Sequence, residues 1–335
     1  MFRVAAFTGG RDVPGARFRV RQYRSLWRRL GIDLHEYYPR WSAYPPTTKW
    51  MRPFWAIGTL AERASDLVAS GRCDLSLLQR EFVSSMLTLE ALARRPRLLD
   101  VDDAIWLNSR GRFAERLAGL CEGVICGNQF LAEYFGRFNV NISIVPTAVD
   151  TELYIPQSGA SDELRIGWMG TASNLKYLQA IEPALKQVLR AVPKARLYVV
   201  SNRPPAFKNL PAERVLFEPW GENGEVPALQ RMTVGLMPLE DTPWARGKCS
   251  FKMLQYMACG VPAVVSPVGM NQEVLKNGGA VAAQTSDEWV GQIVSLLRDD
   301  QLRSELGRRA RETVVRHYSV EVIGPVLASV FRRFL

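Results

Sequence analysis

Trp244–Val265 reads WARGKCSFKMLQYMACGVPAVV, and its cations are spaced to hold an anion. Arg246, Gly247 and Lys248 form a loop. A helical run follows, with Lys252, Gln255 and Tyr256 among apolar residues. Ala-Cys-Gly-Val-Pro stops the helix, and Ala263-Val264-Val265 reads as a buried strand. Cations in a loop and first helical turn, beside the free N–H groups near Ser250, suit a phosphate-bearing ligand. On local chemistry alone, an ordinary basic loop before a core helix explains the pattern equally well.

Three other places have chemistry to offer. Gly9-Gly10 follows a strand and precedes a helix, so backbone N–H groups there can approach a phosphate or a sugar. It is also what a plain turn looks like, and the G-x-G-x-x-G fingerprint of dinucleotide sites is absent. Asp100-x-Asp102-Asp103 ends another strand; its carboxylates could hold a divalent cation or accept hydrogen bonds from sugar hydroxyls. Gly170 and Thr171 end a third strand, with Lys176 six residues beyond Gly170. Two distant histidines and five cysteines without C-x-x-C spacing argue against a zinc site.

The elements that must carry these residues alternate. Val4–Phe7, Cys73–Leu78, Arg97–Val101, Gly123–Cys126 and Asn141–Val145 read as strands, with helical spacing over 16–30 and around Phe130–Phe138. Thr151–Glu163, with Pro156, Ser158, Gly159 and Ser161, reads as a linker. A second strand–helix series runs from Arg165, and two helical runs, Asp300–His317 and Val320–Phe334, close the chain. The 335 residues suit two domains of ~150 each. The expectation is an α/β chain of two doubly wound parallel sheets, with the ligand crevice between the domains at the strands' carboxyl ends. The boundaries fall at 1–155, 156–319 and 320–335.

Lys248…Lys252-x-x-Gln255-Tyr-Met-Ala-x-Gly-x-Pro resembles the donor-binding segment of retaining nucleotide-sugar glycosyltransferases, glycosyltransferase family 4. Ile166-Gly-Trp-Met-Gly-Thr171 with Lys176 is similar to the start of that family's second domain, and Val145-Pro-Thr-Ala-Val-Asp150 to its passage into the linker. The matches run in the family's order from about Asp100 onward. The resemblance implies the GT-B fold: two facing Rossmann-like domains, with the last helix crossing back to the first. It also implies a donor site of Gly9, Gly10, Gly170, Thr171, Lys176, Arg246, Lys248, Ser250, Lys252 and Gln255, and places Asp102 and Asp103 near the acceptor or sugar. The two-domain pattern speaks against the metal-binding D-x-D of the GT-A fold.

The chain departs from the family's pattern in four places. Many relatives carry a His near Asp102 and an Arg at Thr171; this chain has neither. In the common E-x7-E motif the first Glu matches Gly247 and the second Gln255. Gln can still bond ribose hydroxyls, but without charge.

Charge is uneven. Residues 1–55 hold ten Arg and one Lys against Asp12, Asp33 and Glu36, a net of +8 out of +10 for the whole chain. Arg17, Arg21, Arg24 and Arg28 fall at i, i+4, i+7 and i+11 and line one face of a helix, which is also what a solvated charged face looks like. Tyr37, Tyr38, Trp41, Tyr44, Trp50, Phe54 and Trp55 follow, interleaved with Arg40, Lys49 and Arg52. Aromatics beside cations suit an anionic membrane surface or a lipid-linked acceptor, with Arg17, Arg21, Arg24, Arg28, Trp41 and Trp50 as contacts. Single-stranded nucleic acid would use the same residue types, but a nucleic-acid partner is not adopted. No apolar run reaches the ~20 residues of a spanning helix, and the N-terminus reads as a first strand, not a signal peptide.

The sequence therefore leads to a retaining glycosyltransferase of surface polysaccharide or glycoconjugate synthesis. It would be cytoplasmic or peripheral on the inner membrane face, with a nucleoside-diphosphate sugar as donor and a glycan or lipid-linked acceptor. No cofactor and no metal are expected. Asp102, Asp103, Lys176 and Lys252 are the catalytic candidates. A sugar-nucleotide epimerase of the same fold and a catalytically silent binding protein are the alternatives.

Overall fold

The computed structural model describes every residue except 12, 41–44, 84–85, 108–111 and 158–162. The chain divides into two compact units, the first of Met1–Ala148, Gly247–Cys249 and Val320–Leu335, the second of Val149–Arg246 and Ser250–Ser319.

The first unit holds a six-stranded sheet in the order β2-β1-β3-β4-β5-β6. Its strands are β1 Phe2–Phe7, β2 Ile32–Tyr37, β3 Leu75–Leu78, β4 Arg97–Val101, β5 Gly123–Cys126 and β6 Ile142–Ile144. All neighbours pair in parallel. β3, β4 and β5 are buried throughout, as strands covered on both faces must be. The helices are α1 Pro14–Arg19, α2 Arg24–Arg29, α3 Arg52–Ala69, α4 Arg112–Leu120 and α5 Gln129–Phe135. Asn128 caps α5 by accepting from Leu131 N–H at 2.9 Å.

The expected continuous helix over 16–30 is broken. Val20 leaves helical geometry at φ −131° and ψ −65°, and Arg21–Tyr23 is a 3-10 turn. Arg17, Arg21, Arg24 and Arg28 therefore do not share one helical face. Topology separates α2 from α3 as well. The β1-to-β2 crossover and the β2-to-β3 crossover run in opposite directions across the sheet. Right-handed crossovers then put α2 and α3 on opposite faces.

The second unit holds the order β12-β11-β10-β7-β8-β9, again all parallel. Its strands are β7 Arg165–Met169, β8 Arg196–Ser201, β9 Val215–Pro219, β10 Val234–Met237, β11 Ala263–Val265 and β12 Ala280–Ala282. The helices are α6 Leu175–Ala180, α7 Glu182–Ala191, α8 Glu225–Gln230, α9 Pro243–Arg246, α10 Phe251–Ala258, α11 Met270–Lys276, α12 Ser286–Arg298 and α13 Asp300–His317. A reciprocal Thr285/Glu288 capping box starts α12, and Asp299 caps α13. The core is aliphatic, from Ile166, Leu185, Val199, Leu236 and Ile293, closed by Trp168 and Trp289.

The last helix, α14 Val320–Arg333, belongs to the first unit. Trp27 of α2 stacks on Tyr23, meets Phe331 edge-on at 5.2 Å and donates to the Gly324 carbonyl at 3.2 Å. A side chain at Gly324 would run into Leu26. Among the described residues, no helix is long and apolar enough to cross a membrane.

Candidate active site

In each sheet the strand order reverses beside the first strand: between β1 and β3 in the first unit, and between β7 and β10 in the second. Doubly wound sheets bind ligands beyond the strands' carboxyl ends at such reversals. Gly9 and Gly10 follow β1, and Gly170 and Thr171 follow β7, at these two places.

In the first unit, Gly9 and Gly10 follow β1 in a braced loop. Glu36 accepts from the Thr8 hydroxyl at 2.8 Å and from Arg21 Nε at 2.7 Å. Arg21 also donates to the Gly10 carbonyl at 2.9 Å and to the Arg11 carbonyl. The buried Arg63 donates to the Thr8 carbonyl at 2.6 Å. Arg21 is thus a strut of the glycine loop, a correction to its expected place on a solvent-facing basic face.

Gln79, beyond β3, donates to the Gly15 carbonyl at 2.9 Å. Asp102 lies beside both: a Cβ at Gly15 would stand 3.5 Å from Asp102 Oδ2. Burial pushes the Asp102 carboxyl up to about 7; neighbouring Asp103 adds to this and Arg19 opposes it. Asp100 has a different role from its neighbours. It is buried against Arg19, which also donates to the Val145 carbonyl at 2.8 Å, so it braces β4 and cannot serve as an open ligand. Among the described residues, no group of three or more His, Cys, Asp and Glu could hold a metal.

Gly247, Lys248 and Cys249 are part of this unit. The Lys248 carbonyl accepts from Asn128 Nδ2 at 3.1 Å, and Cys249 Sγ donates to the Asp102 carbonyl at 3.1 Å. A Cβ at 247 would stand 2.7 Å from Ala104 Cβ and 2.9 Å from its backbone nitrogen. The position that matches the motif's first Glu therefore has no room for a side chain.

In the second unit, Lys252 on the first turn of α10 reaches the Gly170 loop. A Cβ at 170 would meet the Lys252 ammonium at 2.7 Å, so glycine is what admits the cation. The ammonium also lies 5.3 Å from the centre of the Trp168 ring. Tyr256, one turn on, crosses the strand reversal: its hydroxyl accepts from Met169 N–H at 3.0 Å and donates to the Leu236 carbonyl at 3.3 Å. It fixes the backbone immediately before Gly170.

Thr171 is exposed, with its hydroxyl 3.0 Å from Ser173 and accepting from Asn174 at 2.9 Å. Asn202, beyond β8, accepts from Ala172 N–H at 2.8 Å and ties the same loop down. Lys176 is exposed and lies over the Tyr177 ring at 5.0 Å. Ser250 takes a left-handed backbone (φ 53°), and its buried hydroxyl donates to Asn271 at 2.7 Å. Arg246 pairs with Asp241 at 2.6 Å, both exposed.

Gln255 is a correction. It is 4% exposed and donates to Tyr154 Oη at 3.1 Å and to Glu225 Oε1, while Tyr154 donates to the same Glu225 oxygen at 2.6 Å. Its amide is spent inside the unit, not offered to a ribose.

Among the expected surface contacts, Trp41 lies outside the described residues. Arg24 and Arg28 are exposed, Arg17 is half-buried, and Trp50 is 70% exposed. Trp55 is buried, which removes it from any surface cluster. Sequence reasoning missed Gln79, Asn202 and Asn271. Each is a lone amide just past a strand or in a short helix, with no spacing to flag it.

Comparison with known proteins fits this arrangement. Residues 163–299 are similar to the family model described as Glycosyl transferases group 1. N-acetyl-alpha-D-glucosaminyl L-malate synthase of Bacillus anthracis is 28% identical over 163 residues, which span 45% of this chain and 41% of that protein. The match thus spans well under half the length of that curated relative. Sucrose-phosphate synthase from Thermosynechococcus elongatus superposes with a TM-score of 0.77 at 15% identity, covering 99% of each chain. Anabaena HepE, solved with UDP and glucose, gives 0.68 at 14% identity, covering 99% of this chain and 100% of its own. The fold is the two-domain α/β architecture of GT-B glycosyltransferases.

Proposed function

We propose that the protein is a retaining glycosyltransferase that moves a sugar from a nucleoside diphosphate to a glycan or lipid-linked acceptor in surface polysaccharide or glycoconjugate synthesis. The observation that carries this reading is the Lys252 ammonium seated at Gly170, beyond the carboxyl end of β7. A nucleoside diphosphate gains negative charge as it leaves. A fixed cation and the N–H groups at the start of α10 would stabilise that charge. Lys248 and Lys176 supply further positive charge to the donor, Arg246 being paired with Asp241, and the Gly9-Gly10 loop offers backbone N–H groups. Asp102 and Asp103 take the hydroxyl-contacting role. Retention follows from attack on the leaving-group face; no side chain is assigned as a covalent nucleophile, and no metal or cofactor is used. The names of similar proteins support this: one is a glucosaminyl-malate synthase, and another was solved with UDP-glucose. In this reading the enzyme works in the cytoplasm or on the inner face of the membrane.

A specific observation favours a second reading, a silent sugar-nucleotide-binding protein: Gly247 and Gln255 both lack the motif's carboxylates, and neither position offers a free replacement. Incubation with a panel of nucleotide sugars, with and without lipid-linked acceptors, decides. Acceptor-dependent release of nucleoside diphosphate is expected. Isomerised sugar nucleotide would mean epimerisation, and donor-induced thermal stabilisation without turnover would mean binding only.

A further inference from the structure

The turn between α11 and β12 is pressed against α13. Gly278 and Gly279 in this turn both take positive φ, 83° and 87°. A side chain at Gly279 would run into the Ala310 backbone, so glycine lets α13 lie directly on the turn. The contact is then pinned on both sides. Thr313 donates to the Asn277 carbonyl at 2.9 Å, and Asn277 Nδ2 donates to Tyr318 Oη at 3.1 Å.

Beside this pinned turn lies a cavity of about 240 Å³. Lys276 from the end of α11 lines it, with Arg309, Arg316 and His317 from α13. Arg309, Thr313 and Arg316 fall at i, i+4 and i+7, so one face of α13 supplies both guanidinium groups. Among the described residues, Lys276, Arg316 and His317 take part in no ion pair. The carboxylate on the rim, Glu312, is already held by Arg308 at 2.5 Å. Arg309 pairs with Glu305 at 2.7 Å, but both are exposed, and such pairs give way to a competing anion at little cost. Cations in the last turn of a helix complement its negative end, which explains Lys276, Arg316 and His317 one helix at a time. It does not explain Arg309, two turns inside α13, or a cavity on which cations from two helices converge. Like charges gathered there repel, and an anion between them removes the repulsion.

We propose that this cavity is a second anion site, for a small phosphate compound: a phosphomonoester or pyrophosphate. Guanidinium groups meet phosphate oxygens through paired N–H donors, and an ammonium adds a point charge. The cluster suits a multiply charged anion better than a monocarboxylate. The volume limits the size. Pockets for drug-sized ligands run from about 300 to 1,000 Å³, so this cavity takes a phosphate group or two and not a nucleotide sugar. The site lies before β12, at the amino edge of the second sheet, whereas Gly170 and Lys252 lie beyond the carboxyl end of β7. It is therefore separate from the proposed donor site, and it does not rest on the transfer reading, since binding is measured without turnover.

The experiment is calorimetric titration of the full chain with pyrophosphate at fixed pH and ionic strength. Wild type and Lys252→Ala both serve as parents, the second to take the proposed donor site out of the measurement. Each receives Lys276→Gln/Arg316→Gln, Arg309→Gln or, as a charge control, Arg190→Gln/Lys194→Gln at exposed positions in α7 and the turn after it. Melting curves check that each variant is folded, and Arg309→Gln stands in if the double variant melts early. Pyrophosphate is expected to bind the Lys252→Ala parent. Its affinity should fall at least roughly ten-fold with Lys276→Gln/Arg316→Gln, fall also with Arg309→Gln, and stay within about two-fold with the charge control. No binding by the Lys252→Ala parent would overturn the proposal. Unchanged binding in the double variant, or an equal loss in the charge control, would do the same.

Discussion

Gln255 donates its side-chain N–H to Glu225, and Tyr154 donates to the same carboxylate oxygen at 2.6 Å. Glu225 is 2% exposed, Gln255 4% and Tyr154 1%, so three polar groups satisfy one another out of water. A carboxylate at 255 would face a carboxylate at 225 in that enclosure. Gln255→Glu should therefore destabilise the protein by about 2–4 kcal/mol, read as a shift in the denaturation midpoint. Adding Glu225→Gln should recover most of the loss, since one acid and one amide are again paired. An unchanged midpoint in the single variant would show that the contact carries no weight.

That triad shows where the sequence was legible. The alternation of strands and helices gave both doubly wound sheets, because fully buried parallel strands such as Gly123–Cys126 and Val234–Met237 are apolar runs between turn signals. Lys252 and Gly170 were read as neighbours in function, and the structure puts them in contact. Gln255 is expected at the ribose only through its match to the second Glu of the motif, and no local pattern shows that Tyr154 and Glu225, 101 and 30 residues away, hold it. α3 is absent from the strand and helix reading, although Trp50, Phe54 and Trp55 at its start belong to the aromatic cluster read there; Trp50 and Phe54 are exposed and Trp55 is buried. The arginine face failed at Val20, whose break in helical geometry no propensity marks.

The Asp102 carboxyl titrates at about 7, raised by burial from its ordinary value. A raised folded-state pKa favours the protonated form. Its contribution to stability is present below about pH 4 and is lost as pH rises toward 7. Asp102→Asn removes this cost, so the variant should gain on wild type between pH 4 and pH 8. The partly exposed carboxyl limits the gain to about 1–2 kcal/mol. If Asp102 contacts the acceptor as a carboxylate, wild-type kcat/KM should rise through pH 7 and the variant should lose that rise. Parallel stability–pH curves for the two proteins would remove the titration from Asp102.

Metal independence follows from how the carboxylates are used. Asp100 is consumed by Arg19, and in the proposed reading the Lys252 ammonium, at Gly170, supplies the positive charge for a leaving diphosphate. Transfer should persist in excess EDTA within about two-fold, because a fixed ammonium supplies the electrostatic stabilisation a bound cation would otherwise provide. Loss of activity with EDTA and its return with magnesium or manganese would make Asp102 and Asp103 candidate ligands.

Lys252 offers the sharpest test of the proposed chemistry, because two substitutions reach it from different sides. Lys252→Ala deletes the cation. If the ammonium stabilises the departing diphosphate, kcat should fall by the equivalent of about 2–4 kcal/mol, with donor binding weakened less. Gly170→Ala keeps the lysine but places a Cβ where its ammonium now sits, 2.7 Å away, with the Trp168 ring edge at 2.8 Å. The flexible lysine can swing aside; the buried Trp168 cannot yield as easily. This variant should therefore lose both turnover and a measurable part of its thermal stability. Lys252→Ala, at a half-buried position on the helix surface, should melt close to wild type. Combining the two should cost little more turnover than Lys252→Ala alone, since both remove the same ammonium from the same place. Full activity in a folded Lys252→Ala protein would take the leaving-group role away from Lys252. Additive losses in the double variant would mean that Gly170 acts on transfer by some route other than admitting that lysine.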